Sequence, residues 1–117
     1  MITLYGINNC DTVRKARRWL DEHDLNHRFV DLRKDGLSEE ELDAWIADRG
    51  WESLLNRRGA TWRNLPEEQR QDVNQAKARA LMLEHVSLIK RPIMRMGRHS
   101  RVVLGFDAQD WEMMFDV

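Results

Sequence analysis

Ile2-Thr-Leu-Tyr5, Gly6-Ile-Asn-Asn9, Cys10, Asp11-Thr-Val-Arg-Lys-Ala-Arg-Arg-Trp-Leu20 reads as a strand, a loop, one cysteine and a helix. Ile2 and Leu4 alternate with Thr3 and Tyr5, and so short a run also suits a buried strand. Val13, Ala16, Trp19 and Leu20 fall on one helical face, with Arg14, Arg17, Arg18 and Asp21 largely elsewhere. Asp11 or Thr12 is expected to cap that helix. Cys10 then stands at a helix N-terminus, before unpaired N–H groups and the positive end of the dipole. Both favour the thiolate, which is the nucleophilic form. The competing reading of a lone cysteine is a small, inert core residue.

Outward from this stretch, Phe29-Val-Asp-Leu32 is a second strand, and a strand–helix–strand unit of this length is a parallel crossover. Gly36 closes a turn. Ser38-Glu-Glu-Glu41 has the spacing of a capping box, Leu42, Trp45 and Ile46 form a buried stripe, and Gly50 is a C-terminal stop. Trp51 to Leu55 is a further helical turn, and residues 56–63 are a polar, glycine-broken loop entering a short helix. Pro66 suits the first turn of another helix. The charged tract Glu67 to Asp72 reads as a solvated face, and Asn74 to His85 as a helix. The period then changes. Ile93-Met-Arg-Met96 and Arg101-Val-Val-Leu104 read as two strands joined by the turn Gly97-Arg-His-Ser100. Asp107 is expected to cap a last helix carrying Trp111, Met114 and Phe115. With the helical middle set aside, the order β-α-β then β-β-α is that of an α/β, thioredoxin-like mixed sheet.

The 117 residues suffice for one domain with a real core. Nineteen Lys+Arg against 20 Asp+Glu give a net charge of −1, which argues against bulk electrostatic binding of nucleic acid but leaves room for a local anion site. One cysteine excludes an internal disulfide. His23, His27, His85 and His99 lack metal-ligand spacing, so no metal is expected. No apolar run reaches membrane-spanning length and no signal-peptide pattern opens the chain, so a cytoplasmic location, with the thiol kept reduced, is the expectation.

Three separated segments carry a family resemblance: Tyr5-Gly-Ile-Asn-Asn-Cys-Asp-Thr12, Leu54-Leu-Asn-Arg-Arg-Gly-Ala-Thr-Trp62 and Leu88-Ile-Lys-Arg-Pro-Ile93. In this order and at this spacing they resemble the arsenate reductase ArsC/Spx family, closest to its YffB branch. The resemblance implies one ArsC-like domain over residues 1–117. Its thioredoxin-like core covers about 1–37 and 86–117, and a helical insertion covers about 38–85. It also implies a nucleophile at Cys10 and a cis peptide bond at Pro92. Basic positions of the family fall on Arg14, on Arg57 or Arg58 (Arg58 preferred) and on Arg91. Guanidinium groups suit such positions, because they bind oxyanions bidentately and stay protonated.

Two departures are visible. A histidine that some family members carry four residues before the cysteine is Gly6 here, and a further arginine of the last strand is absent from Leu104-Gly105-Phe106. Both put arsenate itself in doubt. The expected function is a thiol-dependent reductase acting on a small oxyanion or a disulfide. With no second cysteine to resolve the adduct, glutathione as co-substrate, or a redoxin, must release Cys10. The alternative within the family is an Spx-like regulator that binds RNA polymerase. Its Cys-x-x-Cys switch is missing, since Val13 stands at the second cysteine position.

Overall fold

The computed structural model describes residues 1–97 and 101–117. Along the chain come β1 (Ile2–Gly6), α1 (Asp11–Glu22), β2 (His27–Asp31), α2 (Glu39–Arg49), α3 (Trp51–Leu54), α4 (Ala60–Arg63), α5 (Glu67–Arg70) and α6 (Gln75–Glu84). A 3₁₀ turn (Val86–Leu88), β3 (Ile93–Arg95), β4 (Val103–Leu104) and α7 (Ala108–Phe115) complete it. Two compact units divide these elements: residues 1–35 with 91–117, and residues 36–90.

The first unit is built on a four-stranded sheet in the order β2-β1-β3-β4. β1 runs parallel to β2, with Ile2 opposite His27 and Gly6 opposite Asp31. β3 is antiparallel to β1, with Leu4 opposite Met94, and β4 is antiparallel to β3. This is the mixed, thioredoxin-like sheet expected from the order of elements. Ile2, Leu4 and Met94 share one face, since alternate strand residues do. Ala16, Trp19 and Leu20 of α1 and Trp111 of α7 pack with them as the core. Trp111 meets Trp19 at 5.5 Å and Phe106 at 4.8 Å, both edge to face, the geometry favoured by the ring quadrupoles.

Several boundaries differ from expectation, each for a backbone reason. β2 starts at His27 rather than Phe29, because the parallel ladder pairs main chain and is indifferent to the polarity of His27 and Arg28. α1 is capped by neither Asp11 nor Thr12. Its N-cap is Cys10, in extended conformation, and the Cys10 carbonyl accepts the first helical bond from Arg14 N–H at 3.0 Å. β4 holds only Val103 and Leu104. Of the expected turn, Arg98, His99 and Ser100 lie outside the described residues.

Gly6 ends β1 directly beneath α1. A Cβ there would stand 2.7 and 2.9 Å from the two Val13 methyl carbons, closer than carbon atoms approach. The branched valine has no flexible end to swing away. Gly6→Ala is therefore expected to destabilise the protein by about 1–3 kcal/mol in urea unfolding. The loss should shrink in a Val13→Ala background; an equal loss in both backgrounds would remove the steric account.

The second unit is helical. Ser38 caps α2 by accepting from Glu41 N–H, and Leu42, Trp45 and Ile46 are buried as the spacing predicts. Gly50 ends α2 at φ 82°, a conformation in which glycine has no Cβ penalty. Asn74 caps α6 through Lys77 N–H, and Ala78, Leu81 and Met82 are buried. The unit extends past the expected limit at His85. Asn56 N–H donates to Leu88 O, Lys90 N–H donates to Leu54 O, and Leu55 bridges Ile89. These bonds tie residues 86–90 to α3 and place them with the helices.

Candidate active site

A turn brings the chain from β1 into α1. Cys10 N–H closes it on Ile7 O at 3.3 Å, with Asn8 and Asn9 at the corner. Cys10 is half-buried. Burial pushes its thiol up. Against this act the Val13 N–H, the hydrogen bond and charge of the Arg91 guanidinium, and the Thr12 N–H, and together they hold the thiol below its ordinary range. Two of these groups are unpaired donors of the first helical turn and the third is a permanent cation, so the cause is anion stabilisation at a helix N-terminus.

Arg91 reaches the sulfur from the segment that precedes β3. The Arg91–Pro92 bond is cis, as the resemblance implies. Pro92 is buried, and its carbonyl accepts from Gly105 N–H at 2.8 Å. Arg14 is placed differently. Its guanidinium is held by Asp11, one turn back, in an exposed ion pair at 2.5 Å. Such pairs contribute little to stability, and Arg14 does not figure among the groups acting on the thiol.

Arg57 and Arg58 belong to the helical unit. Arg57 lies between two aromatic rings, 5.4 Å from the Trp51 centroid and 5.7 Å from that of Trp62. That arrangement suits a cation facing π-density, and no signal in the sequence joined these three residues. Arg58 N–H donates to Asn56 Oδ1, and its carbonyl accepts from Arg63. With Glu52, Leu55, Asn56 and Lys90, both arginines line a cavity of about 400 Å³. Three cations against one carboxylate make it an anion-friendly wall.

The sequence reading also missed Asp31. It is 6% exposed at the end of β2. Its Oδ1 accepts from Arg33 N–H at 2.9 Å and Lys34 N–H at 3.1 Å, while Oδ2 accepts from Asn8 N–H at 3.2 Å. Burial raises this carboxyl, and the N–H groups of Lys34, Arg33 and Asn8 with the Lys34 charge more than offset it, leaving it below the usual carboxylate range.

A family model, that of the ArsC family, matches residues 5–114. The chain belongs to the ArsC family. Among ArsC-like solved structures, one described as a YffB protein is 43% identical, covers 97% of each chain and superposes with a TM-score of 0.90. An arsenate reductase (ArsC) related protein from Brucella melitensis is 44% identical over 99% of this chain and 95% of that one, with a TM-score of 0.79. A global transcriptional regulator Spx from Enterococcus faecalis is 30% identical, over 94% of this chain and 83% of its own length. Against this ArsC background Gly6 gains a reason: Val13 fills the space that a side chain before the cysteine would need. No described helix is long and apolar enough to cross a membrane.

Proposed function

We propose that this ArsC-family protein is a glutathione-dependent thiol reductase working through Cys10 alone. The observation that carries the reading is the surroundings of the sulfur: Val13 and Thr12 N–H groups and the Arg91 guanidinium, arranged to favour the thiolate. With a disulfide substrate, the thiolate attacks one sulfur and the other leaves as a thiolate. With an oxyanion, it displaces hydroxide to form an S-linked adduct. A glutathione thiolate then attacks the Cys10 sulfur, and the electron pair of the broken bond goes to the departing group. A second glutathione attacks the mixed disulfide, restoring Cys10 thiolate and giving oxidised glutathione. The family resemblance further assigns Arg14 and Arg58 to the substrate anion.

Alkylation of the native protein across a pH series tests the thiolate. Its midpoint is expected below the free-cysteine value of roughly 8.5, and a midpoint at or above that value would sink the reading. Incubation with oxidised glutathione is expected to add one glutathionyl group, located at Cys10 by mass spectrometry.

The likeness to Spx over most of the chain supports a second reading, in which the protein binds RNA polymerase. Cys10-Asp-Thr-Val13 provides no redox switch of the Cys-x-x-Cys kind. Capture of the purified polymerase α-subunit, with no turnover of glutathione, would favour it over the reductase.

A further inference from the structure

We propose that Asp31 is a positioning residue for Cys10, acting through the main chain of Asn8, with Arg17 as the second hold on the same residue. The proposal rests on Cys10 being the nucleophile. A carboxylate this deeply buried is retained only where its oxygens are used. Here Oδ1 serves the exit from β2, accepting from Arg33 and Lys34 N–H. Oδ2 serves another part of the chain, reaching across 23 positions of sequence to Asn8 N–H. The Gly6–Asp31 register between β1 and β2 makes that reach possible, because it sets the loop after β1 beside the end of β2.

Asn8 is also held by its side chain. Arg17 Nη1 donates to Asn8 Oδ1 at 3.3 Å, and the Arg17 guanidinium lies 4.1 Å from the centre of the Phe29 ring on β2. The turn itself is closed by the long Cys10–Ile7 bond. Asn8 stands at its corner, so fixing Asn8 from two sides fixes the direction in which Cys10 enters α1. The Thr12 and Val13 N–H groups favour the thiolate from the first turn of α1, and how well they do so depends on how the sulfur is aimed at them. A loosened turn therefore costs thiolate stabilisation even if the fold survives.

Charge and position make opposite forecasts, which separates them. Removing a nearby carboxylate charge would by Coulomb's law ease ionisation of a neighbouring thiol. Loss of positioning makes ionisation harder. The groups facing Cys10 are the N–H groups of α1 and Arg91, and those facing Asp31 are the N–H groups of Asn8, Arg33 and Lys34, the Lys34 charge and the Asp35 carboxylate.

The experiment is the pH dependence of Cys10 alkylation in wild type, Asp31→Asn and Asn8→Ala. Asp107→Ala, which removes the α7 cap on Asp110 N–H, serves as a purely destabilising control. Asp31→Asn is expected to move the midpoint up by about 0.5–1 pH unit, a roughly three- to tenfold slower reaction well below the midpoint, with little change at alkaline pH. Asn8→Ala, neutral and at an exposed position, should shift it in the same direction by less. Asp107→Ala should lower the melting temperature without moving the midpoint. An unshifted or lowered midpoint in folded Asp31→Asn overturns the proposal. Should that variant not fold, Asp31→Glu, which keeps the charge but displaces the carboxylate from Asn8 N–H, decides by the same criterion. A wild-type midpoint at the free-cysteine value overturns the nucleophile reading and this proposal together; a lowered wild-type midpoint with unshifted variants overturns the positioning role alone.

Discussion

Cys10→Ser is expected to abolish glutathione-dependent reduction, with a loss on the order of 10⁴-fold or more, because a serine hydroxyl stays protonated where the thiol ionises. Hydroxyethyl disulfide and arsenate, assayed side by side, would also show which substrate class the site accepts. The fold should persist, since Cys10 is half-buried and caps α1 through its carbonyl rather than its side chain. Far-ultraviolet circular dichroism and the melting temperature check that. The variant should also gain no glutathionyl mass. Activity retained within a few-fold would show that the chemistry uses no cysteine, since the chain has no other. If the protein instead works by binding polymerase, the same substitution should leave capture of the α-subunit unchanged.

What could be read in advance follows what side chains report. The buried face of α1, the Ser38 cap, the Gly50 stop and the Asn74 to His85 helix are side-chain patterns, and each recurs in the structure within a residue or two. The features that escaped are made by the main chain. β2 begins at two polar residues because its partner strand, not its own pattern, defines it. Residues 86–90 join the helical unit through carbonyls and amides that no residue type announces.

The site divides in the same way. Cys10 announced itself by its place, and Arg91 and Pro92 by a motif resembling a family. Asp31 could not be singled out, because an aspartate closing a strand reads as an ordinary turn residue until the Gly6–Asp31 register brings it to Asn8. Arg14 was legible by its spacing from Cys10, whereas the ion pair that Asp11 makes with it at i−3 was not singled out.

Arg91→Met should expose how much of the thiolate Arg91 supports. Methionine keeps an unbranched stem of similar reach and removes only the charged, hydrogen-bonding head. Burial then continues to push the thiol up, opposed only by the Val13 and Thr12 N–H groups. The alkylation midpoint is expected to rise by about one pH unit, with a roughly tenfold slower reaction near neutrality and convergence with wild type at alkaline pH. The same shift has a thermodynamic face. In wild type the folded thiol ionises below its unfolded value, so between the two the unfolded chain binds more protons and stability rises with pH. The contribution is fully present above the unfolded value of roughly 8.5 and is lost as pH falls through the folded value. Arg91→Met should narrow that window from below, flattening the thiol's share of the melting-temperature slope beneath the unfolded value. Cys10→Ser should remove that share altogether. An Arg91→Met midpoint equal to wild type would mean that the helix N-terminus alone activates Cys10, and that Arg91 acts on the substrate rather than on the thiol.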